Sequence, residues 1–168
     1  MDRITENMHE ERNFKLFNSP LEIGLRTLYV LNEFVDRPIS IDKMIYYDYF
    51  LVHAGDVAKT QKSLHPSYPF RSSEIIIKRQ LLNEALKLMI SKELLEIEYS
   101  ELGLNYKISK IGIKFIEYMS SEYSKQLIST SKWIYKKYKD YTEVQLQAFF
   151  RKNMKKWGGE FINEAKFR

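Results

Sequence analysis

Apolar residues recur along this chain with two different periods. From Pro20 onward Leu21, Leu25, Leu28, Leu31 and Val35 fall at helical spacing, and Ile41, Met44, Ile45, Tyr49 and Val52 do so again in the next segment. A third helical stretch carries Ile76, Leu81, Leu82, Leu86, Met89 and Ile90. The period then drops to two: Ile97 and Tyr99 alternate with Glu96, Glu98 and Ser100, and Tyr106 and Ile108 alternate with Lys107 and Ser109. Between these runs Glu101–Asn105 supplies the glycine and asparagine of a reversing chain. Ser72–Ser109 therefore reads as a helix followed directly by a β-hairpin, and helical spacing resumes at Ile111, Phe115, Ile116 and Met119.

Local stop and start signals divide these segments. Ser19-Pro20-Leu21-Glu22 begins the first helix with a cap, a proline at the first helical position and a capping-box acid. Arg37-Pro38 ends it, and Ser40 or Asp42 caps the second helix, which Gly55 terminates after His53. Ser109 caps the helix after the hairpin, and Ser120-Ser121-Glu122 predicts a break there. Tyr123, Leu127, Ile134 and Tyr138 continue an apolar face, and Thr142-Glu143-Val144-Gln145 opens a last helix bearing Val144, Leu146, Phe149, Phe150 and Met154. Trp157-Gly158-Gly159 stops that helix, and Phe161, Ile162 and Phe167 mark the remaining tail as a partner anchor. Phe14 and Leu16 alternate in a way that suits an added edge strand.

The elements predict a mainly α fold with a small β-hairpin: a winged-helix-like domain with a C-terminal helical arm. The expected division is a mobile segment over 1–18, the winged-helix-like domain over 19–120 with a long loop at 54–71, and the arm and tail over 121–168. The loop, GDVAKTQKSLHPSYPFR, replaces the short turn of a compact helix-turn-helix, and its prolines and aromatics point to an ordered surface loop.

Composition narrows the function. The chain has no cysteine, which excludes disulfides, thiolate metal sites and cysteine nucleophiles. No apolar run reaches a membrane span and MDRITENMHEERNFK holds no signal-peptide core, so a cytoplasmic protein without membrane contact is expected. The net charge of +5 is uneven: residues 125–168 hold 11 Lys/Arg against 4 Asp/Glu, and residues 1–124 hold 16 against 18. Basic character belongs to the arm, which weighs against groove reading by the hairpin and its helix.

Candidate chemistry follows from that. His53, Asp56 and His65 lie close enough for a metal site, but their spacing matches no defensible ligand pattern, and hydrogen bonds that pin the loop are the plainer reading. Arg71 and Glu74 flank the third helix start, with Asp48 or Asp56 as an ion-pair partner for Arg71 in a structural clamp. No phosphate loop or catalytic triad is present, so no catalytic residue, metal or cofactor is assigned. Lys78, Arg79, Lys107, Lys110 and Lys114 are candidate phosphate contacts near the hairpin, opposed by Glu96, Glu98 and Glu101. The set Lys132, Lys136, Lys137, Arg151, Lys152, Lys155 and Lys156 suits sequence-independent backbone contact better, or else forms a solvated face. Trp133, Tyr135, Phe149 and Phe150 among those charges favour a protein partner equally.

FNSPLEIGLRTLYVL, YDYFLVHAGD, SLHPSYPFRSSE and IKRQLLNEALKLMISKELLEI together resemble the middle component of bacterial ABC-three-component systems, the small accessory subunit of Lamassu-type anti-phage defence. The resemblance spans about Phe17 to Tyr138 and is most specific where HAGD pairs with SLHPSYPFRSSE. On it, His53, Asp56, His65, Pro66, Arg71 and Glu74 are signature positions. It implies a non-catalytic subunit beside an ATPase similar to structural-maintenance-of-chromosomes (SMC) proteins and an effector, often a nuclease, with DNA met through the assembled complex. The alternative from the residues alone is a free-standing winged-helix transcription regulator with a specific operator.

Overall fold

The computed structural model describes residues 18–159. The expectations for Phe14 and Leu16, and for Phe161, Ile162 and Phe167, lie outside the described residues. Seven α-helices and a three-stranded antiparallel sheet make up the described chain. In order they are α1 (Pro20–Glu33), β1 (Ile39–Ser40), α2 (Ile41–Val52), a single turn α3 (Ala54–Val57), a 3-10 turn (Arg71–Glu74) leading into α4 (Ile75–Ser91), β2 (Leu95–Ser100), β3 (Gly103–Ile108), α5 (Lys110–Glu117), α6 (Glu122–Tyr138) and α7 (Glu143–Asn153).

The helix starts form where the caps predict them. Ser19 accepts from Glu22 N at 3.2 Å, Ser40 from Lys43 N at 3.3 Å, Ser109 from Gly112 N at 2.9 Å and Ser121 from Ser124 N at 3.1 Å. Thr142 and Gln145 close the reciprocal capping box of α7. Gly112 fits where no other residue does, because a Cβ there would lie 2.2 Å from the Leu94 carbonyl oxygen. The α5 N-terminus can thereby sit against the link between α4 and β2.

One apolar cluster holds the described helices together. Leu28 and Leu31 of α1, Met44, Phe50 and Leu51 of α2, and Leu82, Leu86 and Met89 of α4 are buried in it with Ile116, Leu127, Ile134, Tyr138, Leu146, Phe150 and Trp157. The two helices read as an arm are thus seated on α1 and α2. Tyr47 closes one such contact, donating its hydroxyl to the Tyr138 carbonyl at 3.1 Å.

The structure departs from the sequence expectations in several places. The second helix ends at Val52, but the chain turns again through Gly55 to Val57, since Gly55 N donates to Ser63 Oγ at 3.0 Å instead of ending the helix. Ile76 and Ile77 of α4 are exposed, while Lys78 takes the buried position. Leu21 and Val35 are also exposed, because α1 buries most of its circumference through Ile23, Arg26, Thr27 and Tyr29 as well as its leucines. The hairpin turn is only Glu101-Leu102, with Gly103 already in β3 at φ +122°. The strand β1, too short for an alternation signal, pairs Ile39 with Tyr106 and Ser40 with Asn105, so the sheet order is β1-β3-β2.

Candidate functional site

Two charged groups interrupt the most apolar helices. Arg26 stands among Leu25, Thr27 and Leu28, and Asp48 among Tyr47, Tyr49 and Phe50; both are buried. They meet in a bidentate pair, Arg26 Nε to Asp48 Oδ1 at 2.8 Å and Nη2 to Oδ2 at 3.0 Å. Lys78, one turn into α4, adds its Nζ to Asp48 Oδ2 at 2.6 Å. Burial drives the Asp48 carboxyl upward, but the charges of Arg26 and Lys78 outweigh it and hold Asp48 far below the usual carboxylate range.

This triad spreads to the loop. Arg26 Nη1 also donates to Glu22 Oε1 at 2.9 Å, and the same oxygen accepts from Tyr123 Oη at 2.9 Å and lies 3.1 Å from His65 Nε2. Burial and the neighbouring Glu22 charge push the Tyr123 phenol above its ordinary range. On the other side Lys78 Nζ stands 4.0 Å from Glu74 Oε2, which faces His53 Nε2 at 3.8 Å, beyond hydrogen-bond length. Burial lowers the His53 pKa despite the Glu74 carboxylate. His53 Nε2, Glu74 Oε1, Glu22 Oε2 and Ser72 Oγ are buried atoms without a hydrogen-bond partner among the described residues.

The second centre is Asp56 on the turn α3. Arg71 donates Nε to Asp56 Oδ2 and Nη2 to Oδ1, both at 2.6 Å, and Nη1 to the Tyr68 carbonyl at 3.1 Å. Tyr49 Oη donates to Asp56 Oδ2 at 3.0 Å, and burial with the Asp56 charge raises the Tyr49 pKa. The Tyr49 ring stacks on Trp157 with centroids 5.6 Å apart. Backbone contacts finish the closure: Leu64 N and His65 N donate to the Val52 carbonyl at 3.0 and 3.1 Å, and Phe70 N donates to the Gly158 carbonyl at 2.7 Å.

The structure therefore pairs Asp56 with Arg71, sets His53, the residue that caps the end of α2, opposite Glu74, and ties His65 to Glu22 of α1, while Pro66 lies exposed beside His65. Of the two carboxylates proposed for Arg71, Asp56 is the partner. Lys78 is not a phosphate contact: it is buried against Asp48, since a lysine facing a buried carboxylate is held by that charge. Lys107 lies 3.6 Å from Glu96 and 3.5 Å from Glu98, and Arg79 pairs with Asp42, so both cations are already engaged. Lys110 and Lys114 are exposed, as are Lys132, Lys136, Lys137, Arg151, Lys152, Lys155 and Lys156. Lys137 Nζ sits over Trp133 at 5.6 Å and Tyr138 at 5.5 Å.

Sequence reasoning missed Glu22, Arg26, Tyr49 and Tyr123 as members of the network, and gave Asp48 and Lys78 other roles. The available signal was a lone charge inside an apolar helix run, in LRTLYVL for Arg26 and YYDYFLV for Asp48. A charge forced inside is paired with another, and Arg26 and Asp48 are so paired, with Lys78 as the third member. The arrangement neutralises charge internally and ties the loop to α1, α2 and α4. Among the described residues no group of three or more His, Asp or Glu side chains is placed to hold a metal ion, and no helix is long and apolar enough to cross a membrane.

A family model, ABC-three component (ABC-3C) system Middle Component 2, matches residues 16–160, and the chain belongs to that family. No curated protein matches the chain, and no solved structure does.

Proposed function

Starting from a middle component of an ABC-three-component system, we propose that the chain is a non-catalytic accessory subunit of an anti-phage defence complex of the Lamassu type. It docks on an SMC-like ATPase subunit in the cytoplasm and helps couple the sensing of foreign DNA to an effector, often a nuclease. The observation that carries this reading is the use made of the signature side chains. Asp56 and Arg71 engage each other, and His65 engages Glu22, so these groups stabilise a shape instead of presenting reactive atoms to a substrate. The order of α1, β1, α2, α4 and the hairpin β2/β3 supports a winged-helix scaffold for that shape. Residues 121–168 supply the basic element, with Lys132, Lys136, Lys137, Arg151, Lys152, Lys155 and Lys156 meeting DNA phosphates in the assembled complex.

The test is phage plating on cells that carry the complete gene set or the set without this chain. Loss of protection on removing this chain alone is the expected result. Full protection without it would overturn the proposal.

A further inference from the structure

We propose that the hairpin β2/β3 is the face that receives the partner subunit, by adding to the edge of β2 a partner strand in which apolar residues alternate with lysine or arginine. The inference rests on the reading above that the chain docks on another protein, and says where and with what chemistry.

Three observations point to it. First, the hairpin projects from the core. Of the six residues of β2 only Leu95 is buried, and along its apolar face exposure climbs from Leu95 to Ile97 at 36% and Tyr99 at 79%. Across the ladder, where Tyr99 faces Leu104, the face ends in Leu104 at 46%, and the tip residue Leu102 is 100% exposed. The apolar face thus continues beyond what the core covers, which marks an interaction surface more often than chance exposure does. Second, in the order β1-β3-β2 the outer edge of β2 carries no strand among the described residues. An unpaired edge about 20 Å long offers a row of backbone donors and acceptors that a partner strand can take up.

Third, charge selects the occupant. From Glu93 to Ser109 the chain carries Glu93, Glu96, Glu98 and Glu101 against Lys107 alone, in a protein whose net charge is +5. Glu96 and Glu98 share the polar face of β2, with Lys107 between them, and their side chains are about half exposed. A strand added at this edge sets its polar side chains beside Glu96 and Glu98 and its apolar ones beside Ile97 and Tyr99. Cross-strand pairing of opposite charges favours lysine or arginine at the former positions. A second copy of this chain would bring its own Glu96 and Glu98 to the same place and be repelled. Nucleic acid is repelled for the same reason.

The experiment uses the full chain and two labelled peptides of eight residues, one alternating valine with lysine and one alternating valine with glutamate. The lysine peptide is expected to bind, with slowed hydrogen exchange confined to the β2 amides, and the glutamate peptide is not. E96K/E98K should weaken the lysine peptide roughly tenfold, as expected for reversing two cross-strand charges. Equal binding of the two peptides, or protection elsewhere, overturns the inference, as does a homodimer that dissociates on E96K/E98K. The same variant and Tyr99→Glu are then co-expressed with an SMC-like ATPase subunit, the partner proposed above. Glu96, Glu98 and Tyr99 are all exposed, and circular dichroism checks the fold of each variant. Loss of the complex in the variants supports the hairpin. If wild type and variants associate equally, the hairpin is excluded and the docking function stands. If wild type fails to associate, both fall.

Discussion

The backbone N–H of Phe70 donates to the carbonyl of Gly158 at 2.7 Å, joining the end of the long loop to the turn after α7. Both residues hold left-handed backbone, Phe70 at φ +62° and Gly158 at φ +84°. Around this bond runs a closed circuit: Gly158 lies under Arg71, Arg71 grips Asp56, Asp56 accepts from Tyr49, and Tyr49 stacks on Trp157. The turn after α7 and the long loop therefore stabilise one another.

Gly158→Ala tests the circuit. A Cβ at Gly158 would approach Arg71 Nη1 to 2.8 Å in a backbone conformation that costs an L-residue about 1 kcal/mol. A lower midpoint of thermal unfolding and faster trypsin cleavage at Lys59 and Lys62 are expected. Unchanged values would show the contact to be dispensable.

Arg71→Ala removes the bidentate partner of a mostly buried carboxylate. A loss of about 2 kcal/mol is expected, within the range for charge-assisted hydrogen bonds, read as a fall in denaturant midpoint at constant slope. Assembly should weaken in parallel while no catalytic step changes. Intact stability and intact assembly would remove the clamp from the account.

Asp48→Asn bears on the triad. Removing this charge takes away the central counter-charge of two buried cations and leaves Arg26 with Glu22 and Lys78 with the more distant Glu74; a loss of roughly 3 kcal/mol at neutral pH is expected, the low end for breaking a buried ion pair. The sign of the pH dependence follows from the depressed pKa of Asp48. The unfolded carboxyl binds protons near pH 4 and the folded one does not, so wild-type stability is full above about pH 4 and falls as pH drops through the lower folded value. The variant should lose that acid-side slope, which unfolding curves between about pH 2 and 5 measure.

His53 gives a second window. Burial lowers its folded pKa beneath the ordinary 6.5. Below that value the unfolded state takes up a proton that the folded state does not, so stability declines as pH falls from about 6.5 toward the folded value. His53→Gln should flatten this decline, and an equal slope in wild type and variant would contradict it.

The elements of the fold were largely legible in the sequence, because serine and threonine caps and the switch from helical to two-residue period are local signals. Ser109, Ser121 and the Thr142–Gln145 box act as the spacing says. The register of α4 was not legible: Ile76 is exposed and Lys78 buried because Asp48, thirty residues earlier, draws the lysine inward. Part of the site was visible as well. The loop residues stood out as a group, whereas Arg26 meets Asp48 and Glu22 meets Tyr123 through contacts between helices far apart in sequence; the traces these residues left were an isolated charge in an apolar run and the Glu22–Arg26 spacing of one helical turn.

Charge reversal at Lys152, Lys155 and Lys156 addresses the exposed cations. DNA binding by the assembled complex should weaken, and the salt slope should shrink by up to about 0.9 for each phosphate that the variant no longer neutralises. Unchanged binding would make this face a protein-docking or solvated one.

Co-purification with an SMC-like ATPase, the partner proposed for this chain, tests its role as a docking subunit most directly. Expressed together and passed over a sizing column in gentle salt, the two are expected to elute as one stable complex. Separate elution of two folded proteins would contradict the account.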